Sequence, residues 1–404
     1  MTQPSNELTH FDSSTSYFRP LIVTRMSAIG DTIMTAQIQD SLCAKGYAPI
    51  LLTHKSNTAL LECMPRLQGA CLWSDGNFEF FTRSHPQAPL LPAAKKDFAQ
   101  WLRSQLRGAQ RDKFFVLDLQ RTGRSKRAIR HLRKCLGEDG IKSSVQSVRK
   151  GTFWRILLIL WAYVSLRQWF GRTPPQWLKS RLISVHQRQA KLVEALPSQS
   201  HGMVRGSANP PPLLAPEFRP NNLGFSYVVF AVGASARLKA WPREHFRVLI
   251  KLILENSDAQ VCLCGGSADQ ALGEYLTFGQ DQRVVNLIGK TSLTQTLGLI
   301  QNAAYVVTGD SFASHVCDLM GVPASVIFGA THPKLGFAPN GSHILVHHSE
   351  LSCSPCSRHG QGECRFKNVR CLTSVKPEQV FVQIKESLTR RRQPDDSCEQ
   401  LIDS

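Results

Sequence analysis

Two segments near opposite ends of this chain share one pattern, an apolar strand followed by a tight turn and the start of a helix. In the later segment, Val306–Thr308 runs into Gly309–Ser311, and small residues and His315 follow. In the earlier segment, Leu21–Arg25 runs into Ser27–Thr32. Free backbone N–H groups at such a junction favour an anion. Two units of this kind in one chain predict two α/β domains that face each other across a cleft.

Hydrophobic patterning extends this prediction to the rest of the chain. With 404 residues the chain is too long for one ordinary core, so two domains are expected. Apolar strands alternate with helical patterns over residues 21–196 and again over 223–389, which indicates two doubly wound sheets. Residues 197–222 are rich in Pro, Ser, Asn and Gly and predict a linker. The polar residues 1–20 and 390–404 are expected to form a disordered extension and a mobile tail.

The spacing of apolar residues predicts individual elements. Residues Thr32–Lys45 have helical periodicity, and Gly46 is expected to end that helix. Ile50–Thr53 and Phe114–Gln120 are short apolar runs typical of buried parallel strands. In the second half the pattern predicts strands at 227–232, 260–264, 284–288, 305–308 and 324–328, and helices at 244–255 and 293–303.

The charge of the chain indicates what kind of partner it binds. It has 48 Lys and Arg against 30 Asp and Glu, a formal net charge of +18. This balance indicates an anionic partner, and the alternative is a general effect on solubility. A nucleic-acid-binding protein is the alternative functional class. We expect no nucleic-acid partner, because the chain has no recognisable helix-turn-helix, zinc-finger or RNA-binding signature.

The sequence also bears on where the protein works. Its first residues lack the basic start and apolar core of a secretory signal. No apolar run reaches the roughly 18 residues that a membrane-spanning helix needs. The 12 cysteines are therefore expected to be reduced thiols in the cytoplasm.

A loop of small residues follows the first predicted strand of the second half. It contains Ala234 and Ser235, whose small side chains let the backbone approach a ligand closely. Lys239 supplies a point charge that suits a phosphate, although a turn with a nearby lysine is often only a turn. Gly265–Gly266 and Gly309–Ser311 follow two further predicted strands. Since ligands of such sheets bind at the carboxyl ends of the strands, the three loops together predict a ligand site.

Four motifs in register resemble one known family. Met26–Asp31, Lys239–Pro242, Gly309–Ser311 with His315, and Phe328–Thr331 are similar to the signature of glycosyltransferase family nine, the lipopolysaccharide heptosyltransferases. Their order and spacing agree over nearly the whole chain. The resemblance implies a GT-B architecture, in which two Rossmann-like doubly wound domains face each other across a cleft. The N-terminal domain would bind the acceptor, and the C-terminal domain would bind the nucleotide-sugar.

The resemblance also implies a reaction. It is an inverting, metal-independent transfer of a sugar, typically heptose from ADP-heptose, onto the lipopolysaccharide inner core, either Kdo-lipid A or a heptosylated core. It implies no cofactor, because the nucleotide-sugar is the donor substrate, and no metal ligand. Phe312 stands where the family usually has glycine. Another nucleotide-sugar or another glycan acceptor is therefore the alternative within the family.

Individual roles follow from the matching positions. Asp31 matches the general base, which takes the proton of the attacking hydroxyl; the alternative is a cap on the helix predicted from Thr32. His315 matches a residue near the diphosphate and sugar, and the alternative is a histidine that only packs its helix. The positions that match the donor site are Ala234, Ser235, Lys239, Asp269, Asp310, Ser311, Phe312, Ala313 and His315.

Two further stretches point to an anionic, lipid-linked acceptor. Seven Lys and Arg and no acids lie between Arg121 and Lys134, which suits a phosphorylated acceptor; the alternative is a solvated helix face. Residues 153–170 are apolar and aromatic with basic flanks, a pattern typical of a helix in the membrane interface. The alternative there is a core helix of the first domain. If residues 153–170 form a helix in the membrane interface, the protein would bind the cytoplasmic face of the inner membrane.

Four cysteines are clustered near the C-terminal end, namely Cys353, Cys356, Cys364 and Cys371. Taken alone, this spacing resembles a structural zinc loop. The alternative is a set of free or redox-paired thiols, since similar loops occur in the resembled family, whose catalysis needs no metal.

Overall fold

The computed structural model describes residues 19–26, 28–84, 88–106, 113–147, 152–163, 176–179, 181–197, 213–221, 223–224, 226–279 and 281–392. In this part of the chain, two α/β domains are each built on a mainly parallel sheet. The predicted fold class, two Rossmann-like doubly wound domains facing each other across a cleft, is confirmed.

The N-terminal sheet contains seven strands, β1 Arg19–Arg25, β2 Tyr47–His54, β3 Gly69–Ser74, β4 Asn77–Thr82, β5 Leu91–Ala93, β6 Lys113–Asp118 and β7 Lys142–Ser147. Their order is β5-β4-β3-β2-β1-β6-β7. The neighbouring pairs β3-β2, β2-β1, β1-β6 and β6-β7 are parallel. Strand β4 pairs antiparallel with both β3 and β5. Strand β1 lies in the middle and is almost wholly buried, so its carboxyl end opens into the middle of the cleft.

The C-terminal sheet contains six strands, β8 Tyr227–Ala231, β9 Gln260–Cys264, β10 Val284–Asn286, β11 Tyr305–Gly309, β12 Ala324–Ile327 and β13 Ile344–His347. Their order is β10-β9-β8-β11-β12-β13, and all are parallel. The chain order reverses between β8 and β11. The loops that follow these two strands therefore diverge to opposite faces and leave a crevice, which is where such sheets bind ligands.

Helices cover both sheets. Those of the N-terminal half are α1 Ile29–Ile33, α2 Gln39–Ala44, α3 Lys95–Gln105, α4 Gly123–Gly137, α5 Thr152–Tyr163, α6 Gln176–Lys179 and α7 Val185–Glu194. Those of the C-terminal half are α8 Arg243–Asn256, α9 Gln270–Thr277, α10 Leu293–Gln301, α11 Phe312–Met320, α12 Arg370–Thr373 and α13 Pro377–Arg392. Short 3-10 turns lie at Ala36–Ile38, Lys55–Leu60, Arg237–Lys239, Ser267–Asp269 and Pro333–Leu335.

The predicted helix Thr32–Lys45 is wrong in both its start and its continuity. The helical region begins at Ile29 and is interrupted between α1 and α2 by the 3-10 turn. Thr35 lies at the break, where its hydroxyl donates to the Thr32 carbonyl at 2.7 Å. Hydroxyl bonds of this kind offer the backbone an alternative to a regular helix. The apolar spacing alone did not reveal the interruption.

The predicted domain limits shift at three places. Arg19 and Pro20, assigned to the disordered extension, belong to β1, and residues 1–18 lie outside the described residues. Helix α13 continues to Arg392, past the predicted limit at residue 389. In the predicted linker, Leu213 and Ala215 are buried, while residues 198–212 lie outside the described part of the chain.

The two domains touch beside the cleft through α1 and α11. A Cβ atom placed on Gly30 would lie 3.2 Å from Phe312 Cα, so this close approach needs glycine. Gln37 Nε2 donates a hydrogen bond to Asp318 Oδ2 at 2.8 Å, and Gln37 Oε1 is hydrogen bonded to the His186 ring. The two strand–turn–helix units predicted from the sequence thus face each other directly.

Candidate active site

A cavity of about 980 Å³ lies between the two domains. Its walls come from the ends of β1 and β6, from α5 and α7, and from the loops after β8, β9 and β11. All but one of the ten predicted site residues line it, namely Asp31, Ala234, Ser235, Lys239, Asp269, Asp310, Ser311, Phe312 and His315. The residue that does not line it is Ala313, whose side chain is completely buried.

Asp31 lies in the first turn of α1 with its carboxylate at the cavity wall. Arg25 Nη2 lies 2.7 Å from Asp31 Oδ1, and Arg25 Nη1 donates to the Leu119 carbonyl at 3.0 Å. The arginine is therefore held by the residue that follows β6, and it in turn holds the carboxylate. Ala28, not Asp31, is the N-cap residue of α1, and it makes no side-chain capping bond. The alternative role of Asp31 as a cap is therefore wrong.

Lys239 and Asp310 form an ion pair on the opposite wall. Lys239 Nζ lies 2.8 Å from Asp310 Oδ2 and 3.2 Å from the Asp310 carbonyl oxygen. Both side chains are largely buried, with 14% and 11% exposed. The pair joins the loop after β8 to the loop after β11. Sequence reasoning placed both residues at one site but did not predict that they bind each other.

Helix α11 begins at the cavity and has nine residues. Ser311 is its N-cap, and the Ser311 hydroxyl accepts a hydrogen bond from the Ala313 N–H at 3.3 Å and meets the Thr308 hydroxyl at 2.9 Å. The helix terminus is thus fixed by its own cap. The positive end of the helix dipole favours an anion in the cavity in front of it.

His315 is buried on the first turn of α11 and also lines the cavity. Burial, together with the neighbouring His186, lowers the pKa of His315 to about 4. At neutral pH the ring is therefore uncharged. It offers a ligand a hydrogen bond and does not supply a positive charge.

Asp269 lies on the cavity wall, in the loop after β9. Its Oδ2 accepts a hydrogen bond from the Gly266 N–H at 2.9 Å. That carboxylate oxygen therefore shapes the Gly265–Gly266 turn. The predicted place of Asp269 in the donor site stays a prediction.

The cysteine loop lies next to the same cavity. Cys353, Cys356, Cys364 and Cys371 surround a smaller cavity of about 200 Å³, and burial raises the pKa of the Cys356 thiol to about 11. In the described part of the chain, the group with mutual ligand spacing for a metal is a different one, His332, His348 and Glu350. Lys334 Nζ already lies 2.7 Å from Glu350 Oε2. The choice between zinc and free thiols stays open.

The basic stretch forms helix α4, with a capping box between Thr122 and Ser125. Thr122 lines the cavity, so the helix leads away from the rim of the cleft. The charged side chains all face solvent, namely Arg121, Arg124, Lys126, Arg127, Arg130, Arg133 and Lys134. The predicted cationic surface therefore exists beside the cleft.

The apolar stretch forms helix α5 over residues 152–163, and residues 164–170 lie outside the described residues. One face, with Leu158, packs against Leu335 and Leu178. The other face exposes apolar side chains, with exposed fractions of 66% for Phe153, 45% for Ile156 and 46% for Leu160. The helix is therefore neither a core helix of the first domain nor fully free, because its inner face packs on a loop of the second domain.

Several cavity residues were not predicted from the sequence. They are Arg25, Gln120, Arg155, Arg188, Gln189, Arg358 and His359. Arg155 carried a signal, because it is the one charged residue within the apolar run of residues 153–164. The other residues lie in polar stretches of the sequence that resemble solvent-exposed segments, so nothing marked them as cavity residues.

Parts of the chain are similar to known glycosyltransferases. The model of glycosyltransferase family 9 (heptosyltransferase) matches residues 200–368, less than half of the chain. Lipooligosaccharide heptosyltransferase 2 of Haemophilus influenzae is 32% identical over 100 residues, which cover 24% of this chain and 29% of that protein. The chain spans less than half the length of the curated relatives it matches.

Solved structures match over the full length. The structure of Escherichia coli ADP-heptose lipopolysaccharide heptosyltransferase II has a TM-score of 0.58 at 18% identity and covers 93% of this chain and 100% of its own. The E. coli heptosyltransferase WaaC with ADP has a TM-score of 0.53 at 17% identity and covers 91% and 99%. These structures share the GT-B fold. The segment that the family model matches carries the Lys239 and Asp310 loops, and in this segment the chain is similar to glycosyltransferase family 9.

Proposed function

We propose that this protein is an inverting glycosyltransferase that moves heptose from ADP-heptose onto the lipopolysaccharide inner core, either Kdo-lipid A or a heptosylated core. The observation that carries the proposal is one cavity with Asp31 on its N-terminal wall and Lys239, Asp310 and the start of α11 on its C-terminal wall. The names of the matched relatives support the heptosyl donor and the lipopolysaccharide acceptor.

The chemistry assigns one role to each wall. A hydroxyl oxygen of the acceptor attacks the anomeric carbon, and its proton passes to the Asp31 carboxylate. The bond between the anomeric carbon and the diphosphate oxygen breaks with its electron pair, so the leaving nucleoside diphosphate gains negative charge. Lys239 and the N-terminus of α11 stabilise that charge where it develops.

Transfer can be tested with purified protein, ADP-heptose and Kdo-lipid A or heptosylated core. Mass spectrometry should show acceptor heavier by one heptose residue. In parallel, lipopolysaccharide from a strain lacking the protein should have a core truncated at the corresponding sugar. If ADP-heptose is not consumed with either acceptor while other nucleotide-sugars are, the donor assignment is wrong and the alternative donor stands.

We expect transfer to persist in excess chelator. In the proposed reaction a lysine and a helix terminus supply the positive charge at the diphosphate, so a divalent cation is not required there. The rate after extensive dialysis against EDTA should equal the rate of untreated enzyme, measured beside a magnesium-dependent glycosyltransferase as a positive control for chelation. Loss of activity that added magnesium or manganese restores would contradict this mechanism.

We further propose that the protein binds the cytoplasmic face of the inner membrane through the exposed face of α5 and the cationic face of α4. No helix in the described part of the chain is long and apolar enough to cross a membrane. The α5 face instead presents Phe153, Ile156 and Leu160, and Trp177 of α6 lies beside it with 54% exposed. An apolar strip beside cations suits the interface of an anionic membrane.

Vesicle co-sedimentation tests the membrane proposal. Ile156→Glu or Leu160→Glu should each weaken binding to anionic vesicles about tenfold, since each removes a half-exposed aliphatic side chain that inserts into lipid. Val248→Glu is the matched control, because Val248 is similarly exposed, with 42%, on α8. High salt should remove the part of the binding that the α4 cations supply. Equal binding of all three variants would rule out α5 as the membrane contact. Trp161 is a poorer probe, because it packs in the inner face.

A further inference from the structure

Two buried polar side chains that line the cavity have atoms without a hydrogen-bond partner among the residues that the structure describes. These atoms are Nε and Nη2 of Arg155 and both amide atoms of Gln189. Arg155 is 8% exposed and Gln189 is 1% exposed. Buried polar groups in native proteins are nearly always hydrogen bonded, and a buried group that is not costs stability. Two such groups on one cavity wall indicate a polar ligand that completes them.

The charge around Arg155 indicates an anionic ligand. Its guanidinium stacks over the Phe337 ring, with Cζ 4.3 Å from the ring centroid. Burial, together with the nearby Arg188, Arg358 and Arg25, lowers the pKa of Arg155 to about 10, while Asp31 opposes them. The side chain is therefore still charged at neutral pH. Several cations meet here with one acid among them, which is unfavourable until an anion arrives.

The position of these groups favours the acceptor over the donor. Arg155 lies on α5, and Arg188 and Gln189 lie on α7, so three of the four groups belong to the N-terminal half. The donor loops, with Lys239 and Asp310, lie on the other domain. Asp31 is close enough to Arg155 to influence its pKa, which places the cations beside the proposed base.

Arg358 completes the group from the C-terminal side. The loop that carries it packs on Lys239, since a Cβ atom on Gly360 would lie 2.7 Å from Lys239 Cγ. Arg358 therefore borders both the donor loops and the cations of α5 and α7. Of the four residues, it is the one placed to contact either the donor or the acceptor.

We propose that Arg155, Arg188, Gln189 and Arg358 form a subsite for an oxyanion, a carboxylate or phosphate, on the acceptor sugar that carries the attacking hydroxyl. This inference rests on the proposed function for the identity of that acceptor. Guanidinium forks bind carboxylate and phosphate with paired hydrogen bonds, and the Gln189 amide bonds a neighbouring sugar hydroxyl. Binding the anion here orients the hydroxyl towards Asp31.

The central variant is Arg155→Met, which keeps the apolar contact with Phe337 and removes the charge. The KM for an acceptor that carries the anion should rise about 10- to 100-fold, as expected for the loss of a charge-assisted hydrogen bond. The affinity for ADP, measured by calorimetry, should stay within about twofold. Arg155→Lys should restore part of the loss, because it returns the charge without the fork.

Two controls separate this subsite from a structural role. Lys251→Met removes a cation on α8 whose side chain is 72% exposed. It should change neither the acceptor KM nor the affinity for ADP. In the absence of ligand, Arg155→Met should unfold at the same or a higher temperature than the wild type, because it removes an unpaired buried charge. A lower unfolding temperature with an unchanged acceptor KM would make Arg155 a packing residue and overturn the subsite.

Modified acceptors identify the source of the anion. Wild-type enzyme should discriminate against an acceptor whose carboxylate is methyl-esterified or whose phosphate is removed, and Arg155→Met should lose that discrimination. If Arg155→Met instead weakens ADP binding and leaves acceptor KM unchanged, the anion belongs to the donor and the proposal is wrong.

A binding assay keeps the subsite testable if transfer itself fails. Calorimetry with a deacylated, carboxylate- and phosphate-bearing inner-core oligosaccharide should show binding to wild type and about 10- to 100-fold weaker binding to Arg155→Met. Binding without turnover would count against the proposed function and leave the subsite standing. Equal binding by both proteins, or none by either, would overturn the subsite.

Discussion

Asp31→Asn should reduce the rate of sugar transfer by on the order of 10²–10⁴, the usual effect of losing a general base. The amide keeps an oxygen for the Arg25 guanidinium, which lies 2.7 Å from the carboxylate in the native protein, but it cannot take a proton at neutral pH. Asp31→Ala should lose as much activity. Because Asp31 lies on the wall opposite Lys239, both variants should bind ADP as tightly as the wild type.

The control for this experiment is Asp281→Asn, which neutralises an exposed carboxylate paired with Arg283 far from the cavity walls. It should be fully active. Single-turnover rates with saturating ADP-heptose and acceptor isolate the chemical step. An Asp31→Asn enzyme with near-normal single-turnover rate would remove Asp31 from the proton transfer, whatever its effect on stability.

Lys239→Ala should weaken ADP binding by on the order of 10- to 100-fold and should slow transfer as well. Two effects combine in this variant. A charge-assisted hydrogen bond to the diphosphate is lost, and the Asp310 carboxylate, which Lys239 neutralises at 2.8 Å, is left to repel the phosphates. Calorimetry with ADP measures the first quantity, and steady-state kinetics measures the second.

A double variant separates these two effects. Lys239→Ala combined with Asp310→Asn removes both charges, so part of the affinity for ADP should return relative to Lys239→Ala alone. If it does not, the lysine acts on the diphosphate directly and the ion pair only positions it. Unchanged ADP affinity and unchanged rate in the single variant would exclude Lys239 from the donor site.

The parts of the fold that repeat a local pattern could be predicted from the sequence. The buried parallel strands are continuous apolar runs, so the predicted strands at 227–232, 260–264 and 305–308 agree with β8, β9 and β11. The loops after those strands contain small residues and one lysine. Because the carboxyl ends of parallel strands meet at one edge, the sequence order was enough to bring Lys239 and Asp310 together.

Elements whose sequence lacks that pattern were missed. The antiparallel strands β4 and β5 at one side of the sheet are largely half exposed or exposed and lack a continuous buried run. The turn before β4 did carry a signal, since Asp75 and Gly76 both have positive φ, and Asp-Gly is a common hairpin turn. The break between α1 and α2 depends on hydroxyl bonds to the backbone, which apolar periodicity does not record.

The proposed oxyanion subsite shows a different limit of prediction from the sequence. Arg155 lies in a run that reads as a lipid-facing helix, and only the tertiary structure shows that its side chain points from the inner face of α5 into the cavity. Gln189 and Arg188 lie on α7, whose sequence is polar like any surface helix. Which side of a helix faces a ligand depends on where the second domain docks, and that is not encoded locally.

The contact between Gly30 and Phe312 brings α1 and α11 close together. Asp31 follows Gly30 on α1, and α11, whose N-terminus we propose to bind the diphosphate, begins at Phe312. A Cβ atom on Gly30 would lie only 3.2 Å from Phe312 Cα, so in the proposed reaction the base and the leaving group would be spaced by direct contact between their own helices. Positioning of the reacting groups can account for a large part of the lowering of an activation barrier. Here the close approach of the two helices depends on Gly30 having no side chain.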